Sequence, residues 1–140
     1  DPDHAGFGRL LADLNALAVE RPALWVGDDT GREHGHDVAW WLDAGDAEHS
    51  VFTLARRDPR DGACVVVAAN LTPVPRHGYR LGLPTGGEWC EVLTTDDPRY
   101  GGSGITNPAV VVDPSMPWQG QPASAVLTLP PLGVAILAVA

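Results

Sequence analysis

The feature that most constrains the fold of this chain is a proline corner that follows its most strand-like run. The run Ala63–Ala69 holds three consecutive valines and no charge, which is typical of a strand buried on both faces. Pro73 and Pro75 then end the strand, because proline has no N–H to donate to a neighbour. After Gly78, apolar residues alternate again up to Leu83, which predicts a second strand with one buried face. A corner of this kind changes sheet or edge, as in an antiparallel β sandwich.

Further segments on both sides of this corner carry strand patterns. After the first strand the turn Asp43–Asp46 is predicted, and Asp58–Gly62 joins the next strand to Ala63–Ala69 as a hairpin. Pro130 and Pro131 are predicted to join the last two strands as a terminal hairpin. The fold class is therefore all-β: an antiparallel, Greek-key-like β sandwich of about seven or eight strands, preceded by one amphipathic helix. The other predicted strands are Val38–Leu42, Ser50–Arg56, Tyr79–Leu83, Glu88–Thr94, Ala109–Val112, Ala125–Leu129 and Val134–Val139.

The amphipathic helix covers Gly6–Glu20 and ends before Pro22, because the residue before a proline is disfavoured in the helical region. Its apolar face either packs on the chain's own sheet or belongs to a neighbouring domain, and both interpretations stay open. The residues that define this face are Phe7, Leu10, Leu14 and Leu17.

Composition limits the partners of the chain. A length of 140 residues fits one domain with a core of its own, and the net charge of −9 disfavours nucleic acid and anionic membranes. A neutral ligand or a protein surface is the expected partner. No apolar run approaches the roughly 20 residues of a membrane span, and the first residues do not resemble a signal peptide. Asp1 is not a natural start residue, so we expect a piece of something longer.

The two cysteines, Cys64 and Cys90, lie in apolar, strand-like runs without a metal-binding spacing. We expect two free thiols in a reducing cytoplasm, with a single disulfide as the alternative.

Motifs that would carry catalysis are missing from the sequence. The serine in Gly101–Gly104 lacks the strand-turn-helix context of a nucleophile elbow, and no phosphate-binding loop is present. Asp96 and Asp97 are adjacent, so on an extended backbone they point to opposite sides, and loop stabilisation is the better interpretation. His34 and His36 in an acidic loop form a weak candidate metal site, against which solvated side chains are favoured. No metal or cofactor is therefore expected.

Tryptophan is frequent, with five residues in the chain. Trp40 and Trp41 are adjacent on a predicted strand, so one of them must face away from the core unless a second layer covers it. Alternation in Glu88–Thr94 places Trp89 and Leu93 on one side, with Trp89 in the core. Trp118 lies in a long segment rich in proline and glycine, and it is the best candidate for contact with something outside the domain.

The run Asn70–Arg80 resembles the C-terminal region of bacterial 1,4-α-glucan (glycogen) branching enzymes, which are members of the α-amylase superfamily. The resemblance covers nearly the whole chain in the right order. Upstream, residues of this chain resemble the last helix of the family's catalytic barrel and the segment that leaves the barrel. The further matching runs are Asp13–Leu17, Arg21–Leu24, Gly87–Asp96, Tyr100–Gly104 and Leu127–Leu132.

This resemblance implies a domain boundary within the chain. Residues 1–24 would be the last helix of the catalytic barrel and its exit segment, and residues 25–140 the C-terminal β-sandwich domain. The family enzyme cleaves an α-1,4 linkage and transfers the glucan chain to a 6-hydroxyl, forming an α-1,6 branch. Its catalytic carboxylates lie on earlier barrel strands, so no catalytic residue is transferred to this chain, and the chain alone is predicted to be inactive.

The expected partners are the enzyme's own catalytic barrel and α-glucan. The helix residues Phe7, Leu10, Leu14 and Leu17 would face the barrel. The rival hypothesis is a stand-alone carbohydrate-binding module that uses exposed tryptophans, and a weaker third one is a metal-binding domain. The candidate residues for glucan or domain-interface contact are Trp41, Asp96, Arg99, Tyr100 and Trp118.

Overall fold

The computed structural model describes residues 1–27 and 38–140. In this part of the chain, helix α1 covers Pro2–Glu20, and short 3₁₀ helices cover Pro22–Leu24 and Pro98–Tyr100. The strands are β1 Ala39–Asp46, β2 Val51–Arg57, β3 Cys64–Asn70, β4 Arg76–Leu83, β5 Trp89–Thr94, β6 Val112–Asp113, β7 Ala123–Leu129 and β8 Gly133–Val139.

The strands form two antiparallel sheets that pack face to face. The five-stranded sheet has the order β1-β2-β3-β8-β5, and the three-stranded sheet has the order β4-β7-β6. Apolar side chains from both sheets fill the space between them. The predicted all-β, antiparallel sandwich with one preceding helix is thus confirmed. The fully buried members of this core include Val66, Leu81, Leu83, Leu129 and Leu137.

The proline corner crosses between the two sheets, which is one of the two changes predicted for it. β3 lies in the centre of the five-stranded sheet, whereas β4 belongs to the three-stranded sheet. β4 begins at Arg76, directly after Pro75 and earlier than the sequence pattern indicated. Its pairing with β7 shifts between Arg76 and Tyr79, where Gly78 has a φ of 65°. Glycine adopts this positive φ without the strain that a side chain would cause.

A second crossing follows β7, and it corrects the predicted terminal hairpin. β7 pairs with β4 and β6, but β8 pairs with β3 and β5, so the turn at Pro130 changes sheet. The buried Asn70 joins this crossing to the first one: its Nδ2 donates to the carbonyls of Val74 at 2.8 Å and Pro130 at 3.0 Å. The N–H of Leu132 also donates to the carbonyl of Thr72 at 2.8 Å. One amide side chain therefore stabilises both crossings.

The predicted strand Ala109–Val112 is wrong except at Val112, where β6 begins. Two further predictions about strands are wrong because of irregular pairing. β1 continues through the predicted turn to Asp46, with shifts in its pairing to β2 after Trp41 and after Asp43. In β5, the pairing shifts between Glu91 and Leu93. Between these pairs β5 has one residue more than β8, which turns Leu93 to the outer face of the sheet. The buried Trp89 packs in the sandwich core, as predicted.

Helix α1 packs on the outer face of the five-stranded sheet. Leu17 is buried in a cluster with Leu93 and Ile136, and Leu10 and Leu14 pack against this cluster while staying partly exposed. The chain's own sheet thus accounts for the burial of Leu17. No helix among the described residues is long and apolar enough to cross a membrane.

Candidate functional site

Asp96 organises the loop that follows β5. Its buried carboxylate accepts hydrogen bonds from the Ser103 N–H at 2.9 Å, the Ser103 hydroxyl at 2.6 Å and the Ile105 N–H at 2.8 Å. Burial raises the pKa of Asp96, but these hydrogen bonds outweigh burial and hold the pKa below its ordinary value. A Cβ on Gly102 would lie 2.1 Å from the Asp96 backbone, which explains a glycine there. Both carboxylate oxygens are therefore engaged within the loop.

Arg99 and Tyr100 fasten this loop to helix α1. The Tyr100 hydroxyl donates to Asp13 Oδ2 at 2.5 Å, and Arg9 Nη1 donates to the carbonyl of Arg99 at 3.2 Å. Arg99 also forms ion pairs with Asp97 at 3.0 Å and Asp13 at 3.5 Å. Burial and the Asp13 hydrogen bond raise the pKa of Tyr100 to about 12, so the phenol stays a neutral donor at physiological pH.

The adjacent tryptophans of β1 point to opposite faces, as predicted. Trp40 packs against the sandwich core with the Arg57 guanidinium 5.4 Å from its ring centre. Trp41 is 61% exposed, and its ring lies 6.3 Å from that of Phe52, which is also exposed. Trp41 pairs with Leu54, which in turn pairs with Val67 beside the helix cluster, so this is the sheet face that carries α1. We call these two rings the Trp41–Phe52 pair.

Trp118 lies at the base of a tight hairpin turn. Its N–H donates to the Gln121 carbonyl at 3.0 Å, and the Gln121 N–H donates back at 2.9 Å. The two central residues, Gln119 and Gly120, both have positive φ, at 51° and 72°, as in a type I′ turn. The sequence pattern around Trp118 predicts an irregular loop, and the structure shows a turn instead.

This turn is fixed to β4. A Cβ on Gly82 would lie 2.4 Å from the Trp118 carbonyl oxygen, so the two backbones approach at a distance that only glycine permits. The side chain of Gln119 accepts from the Gly82 N–H at 2.9 Å and donates to the Tyr79 hydroxyl at 3.2 Å. The position of the turn is thus set by backbone packing and by both ends of one amide.

A cleft of about 390 Å³ opens beside this turn. It lies between β1 and β4, each of which is at an edge of its sheet in the described part of the chain. Carboxylates, cations and aromatic rings line it together, and we call it the β1–β4 cleft. Its lining includes Asp43, Asp46, Arg76, Tyr79, Trp118 and Gln119.

The predicted site residues lie in three separate places and do not form one site. Asp96, Arg99 and Tyr100 belong to the loop that contacts α1, while Trp41 lies on the outer sheet face and Trp118 lies at the cleft. Whether any of them contacts glucan or another domain stays a prediction. The sequence carried one signal for the turn beside the cleft, which is Gly120 two positions after Trp118, because glycine favours the positive φ of such turns. The turn lacks the Asn-Gly or Asp-Gly pair that marks these hairpins most strongly.

Metal binding has no support within residues 1–27 and 38–140, where no three His, Cys, Asp or Glu side chains are grouped to hold an ion. The weak candidates His34 and His36 lie outside the described residues. Cys64 and Cys90 are free, as expected, and Cys64 is buried while Cys90 is partly exposed.

Comparison with known proteins defines the class of this fold. Residues 41–140 match the family described as alpha amylase, C-terminal all-beta domain. The chain belongs to this family.

The similarity also extends to particular enzymes over nearly the whole chain. The 1,4-alpha-glucan branching enzyme of Thiobacillus denitrificans is 44% identical over 138 residues, which is 97% of this chain and 18% of that protein. The corresponding enzyme of Cereibacter sphaeroides is 47% identical over 94% of this chain and 17% of its own length. That of Rubrobacter xylanophilus is 46% identical over 96% of the chain and 18% of its own length. The predicted resemblance is confirmed, and the chain spans 17–18% of the length of these relatives.

Proposed function

We propose that this chain is the C-terminal β-sandwich domain of a 1,4-α-glucan branching enzyme. Such an enzyme cleaves an α-1,4 linkage and transfers the released glucan chain to a 6-hydroxyl to form an α-1,6 branch. The observation that carries the proposal is the 44% identity to a branching enzyme over 97% of this chain. The domain stabilises the enzyme and tunes its handling of glucan. Its two free thiols fit a cytoplasmic enzyme.

The catalytic carboxylates are assigned to a part of the enzyme that precedes this chain. The two most buried carboxylates among the described residues are occupied by structural partners. Asp96 closes its own loop, and Asp58 forms an ion pair with Arg60 at 2.7 Å. The hydrogen bond from Arg60 is the main cause that lowers the pKa of Asp58. These groups stay ionised and engaged, which suits a supporting domain.

The proposed contact with the catalytic barrel uses apolar side chains that this chain leaves exposed. Phe7 is 59% exposed on α1, and Leu11 and Val19 are exposed on the same helix. The Trp41–Phe52 pair lies on the same face of the sandwich. Exposed apolar groups of this kind mark protein contacts, and contacts between domains of one chain are commonly made this way. The division into residues 1–24 and 25–140 belongs to this proposal.

The test compares three proteins: the full-length gene product, the same protein without residues 25–140, and the 140-residue chain alone. Branching of amylose is followed by the loss of its iodine colour and by the appearance of α-1,6 linkages. We expect activity in the first, reduced activity or stability in the second, and none in the third. An unimpaired deletion protein, or an active isolated chain, would contradict the proposal.

The rival function, a stand-alone carbohydrate-binding module, is favoured by one observation, which is the exposed Trp118 ring beside a cleft. Full-length activity separates the two functions. A protein that binds glycogen but never branches amylose would be a binding module.

A further inference from the structure

We propose that the β1–β4 cleft is a binding site for an α-1,4-linked glucan segment, with one glucose unit stacked on Trp118. The choice of α-glucan rests on the proposed function. Three properties of the cleft indicate a neutral ligand rich in hydroxyl groups: its aromatic ring, its polar groups and its size.

The aromatic ring is held in place before any ligand arrives. Trp118 is 46% exposed, yet its backbone is fixed by the turn to Gln121 and by the close approach to Gly82. An apolar sugar face can stack on an indole ring, as other apolar groups do. Because the backbone that carries the ring is ordered in advance, binding loses little conformational entropy.

The polar groups of the cleft match hydroxyl groups, each of which can donate and accept a hydrogen bond. Asp43 and Asp46 supply acceptors, and Arg76 and Arg80 supply donors. Their charges offset one another, which suits a neutral ligand better than an anion or a cation.

Arg76 adds a second polar observation at the cleft. Its Nη2 donates to the His49 carbonyl at 3.2 Å, which fixes the guanidinium. Its Nε is buried and has no hydrogen-bond partner among the described residues. Because this Nε is not accessible to solvent, it is not one of the donors that the cleft offers to a ligand.

The size of the cleft also fits. Its volume of about 390 Å³ lies within the ~300–1,000 Å³ that is common for small-molecule sites. The residues of the Trp41–Phe52 pair do not line this cleft, and their rings lie on a sheet face. We therefore assign the cleft, and not that pair, to glucan.

The test measures amide hydrogen exchange in the full-length protein with and without maltoheptaose, with cellohexaose as the control for linkage geometry. We expect maltoheptaose to slow exchange in residues 76–80 and 117–121. Trp118→Ala should abolish this protection and weaken binding at the cleft about tenfold, while Trp118→Phe should retain part of it. The turn is held by backbone hydrogen bonds and by Gln119, so the fold should survive the change, which thermal unfolding checks.

The matched control is Trp25→Ala, because Trp25 has a similarly exposed ring but does not line the cleft. It should leave the protection unchanged. Absence of protection in both segments, or equal protection in Trp118→Ala, would overturn the proposal.

Amylose branching, measured on the same preparations, separates this proposal from the function on which it rests. Branching without protection at the cleft would refute the glucan site and leave the function standing. Protection without branching would refute the function and leave the site standing.

Discussion

Two exposed tryptophans of this domain lie in different surroundings. Trp41 lies on the face of a sheet beside Phe52, on the side that carries α1, whereas Trp118 projects from a fixed turn into a cleft lined by charged side chains. Exposure is similar enough that it does not distinguish them, at 61% and 46%. The surroundings do: a flat apolar surface suits a protein neighbour, and a concave polar one suits a small ligand.

The largest expected effect is a loss of overall stability that leaves ligand binding at the cleft unchanged. Asp96→Asn removes the charge that accepts three hydrogen bonds in a loop that does not line the cleft. We expect a loss of about 2 kcal/mol in the free energy of unfolding at pH 7, because hydrogen bonds to charged groups are the stronger ones. Maltoheptaose affinity should not change. Urea unfolding and calorimetric titration measure the two quantities.

The pH dependence of this variant follows from the lowered pKa of Asp96. A carboxyl with a folded-state pKa below its unfolded value contributes stability above the unfolded pKa and loses it as pH falls through the folded pKa. The difference between Asp96→Asn and the parent should therefore shrink as the pH falls below about 4. A difference that is constant with pH would show that the carboxylate charge is not involved.

A second substitution should lower stability by less and should also weaken ligand binding at the cleft. Gly82→Ala places a Cβ against the Trp118 carbonyl, so the turn must move away from β4. We expect a loss of about 1.5 kcal/mol in unfolding free energy, within the range for overpacked sites, together with weaker maltoheptaose binding. Gly86→Ala is the control, since its Cβ would meet Pro114 at an ordinary 3.7 Å. Normal binding by Gly82→Ala would mean that the turn position does not matter.

The sequence predicted the Trp41 region better than the Trp118 region, for physical reasons. Alternation along a strand is a local rule, so the opposite directions of Trp40 and Trp41 follow from adjacency alone. The surroundings of Trp118 depend on the approach of a distant strand at Gly82, which leaves no periodic signal. A glycine in a strand interior can indicate such an approach, but it does not name the partner.

The two sheet crossings show the same limit. Pro73 and Pro75 predict a change of sheet or of edge, because they stop a buried strand. Pro130 and Pro131 predict a hairpin turn, but a short turn does not reveal whether its strands pair with each other or separate. The separation is stabilised by Asn70, sixty positions away, through its hydrogen bond to the Pro130 carbonyl. The bulge that turns Leu93 outward was equally invisible in the sequence.

A still smaller effect would refine the description of the cleft. Gln119→Ala removes the side chain that joins Gly82 and Tyr79 but leaves the Trp118 ring in place. We expect a loss of about 1 kcal/mol in unfolding free energy, because two neutral hydrogen bonds are removed at a partly exposed site. Maltoheptaose binding should weaken less than in Trp118→Ala. A loss equal to that of Trp118→Ala would mean that the amide, and not the ring, carries recognition.

The central claim is that Trp41 and Trp118 have different partners, and affinity electrophoresis in glycogen-containing gels tests it most directly. The full-length parent protein, Trp41→Ala and Trp118→Ala are run side by side, with gels lacking glycogen as the reference for mobility. We predict that Trp118→Ala is retarded less than the parent and that Trp41→Ala is retarded as the parent is. Equal retardation of the two variants, or a loss confined to Trp41→Ala, would contradict this account.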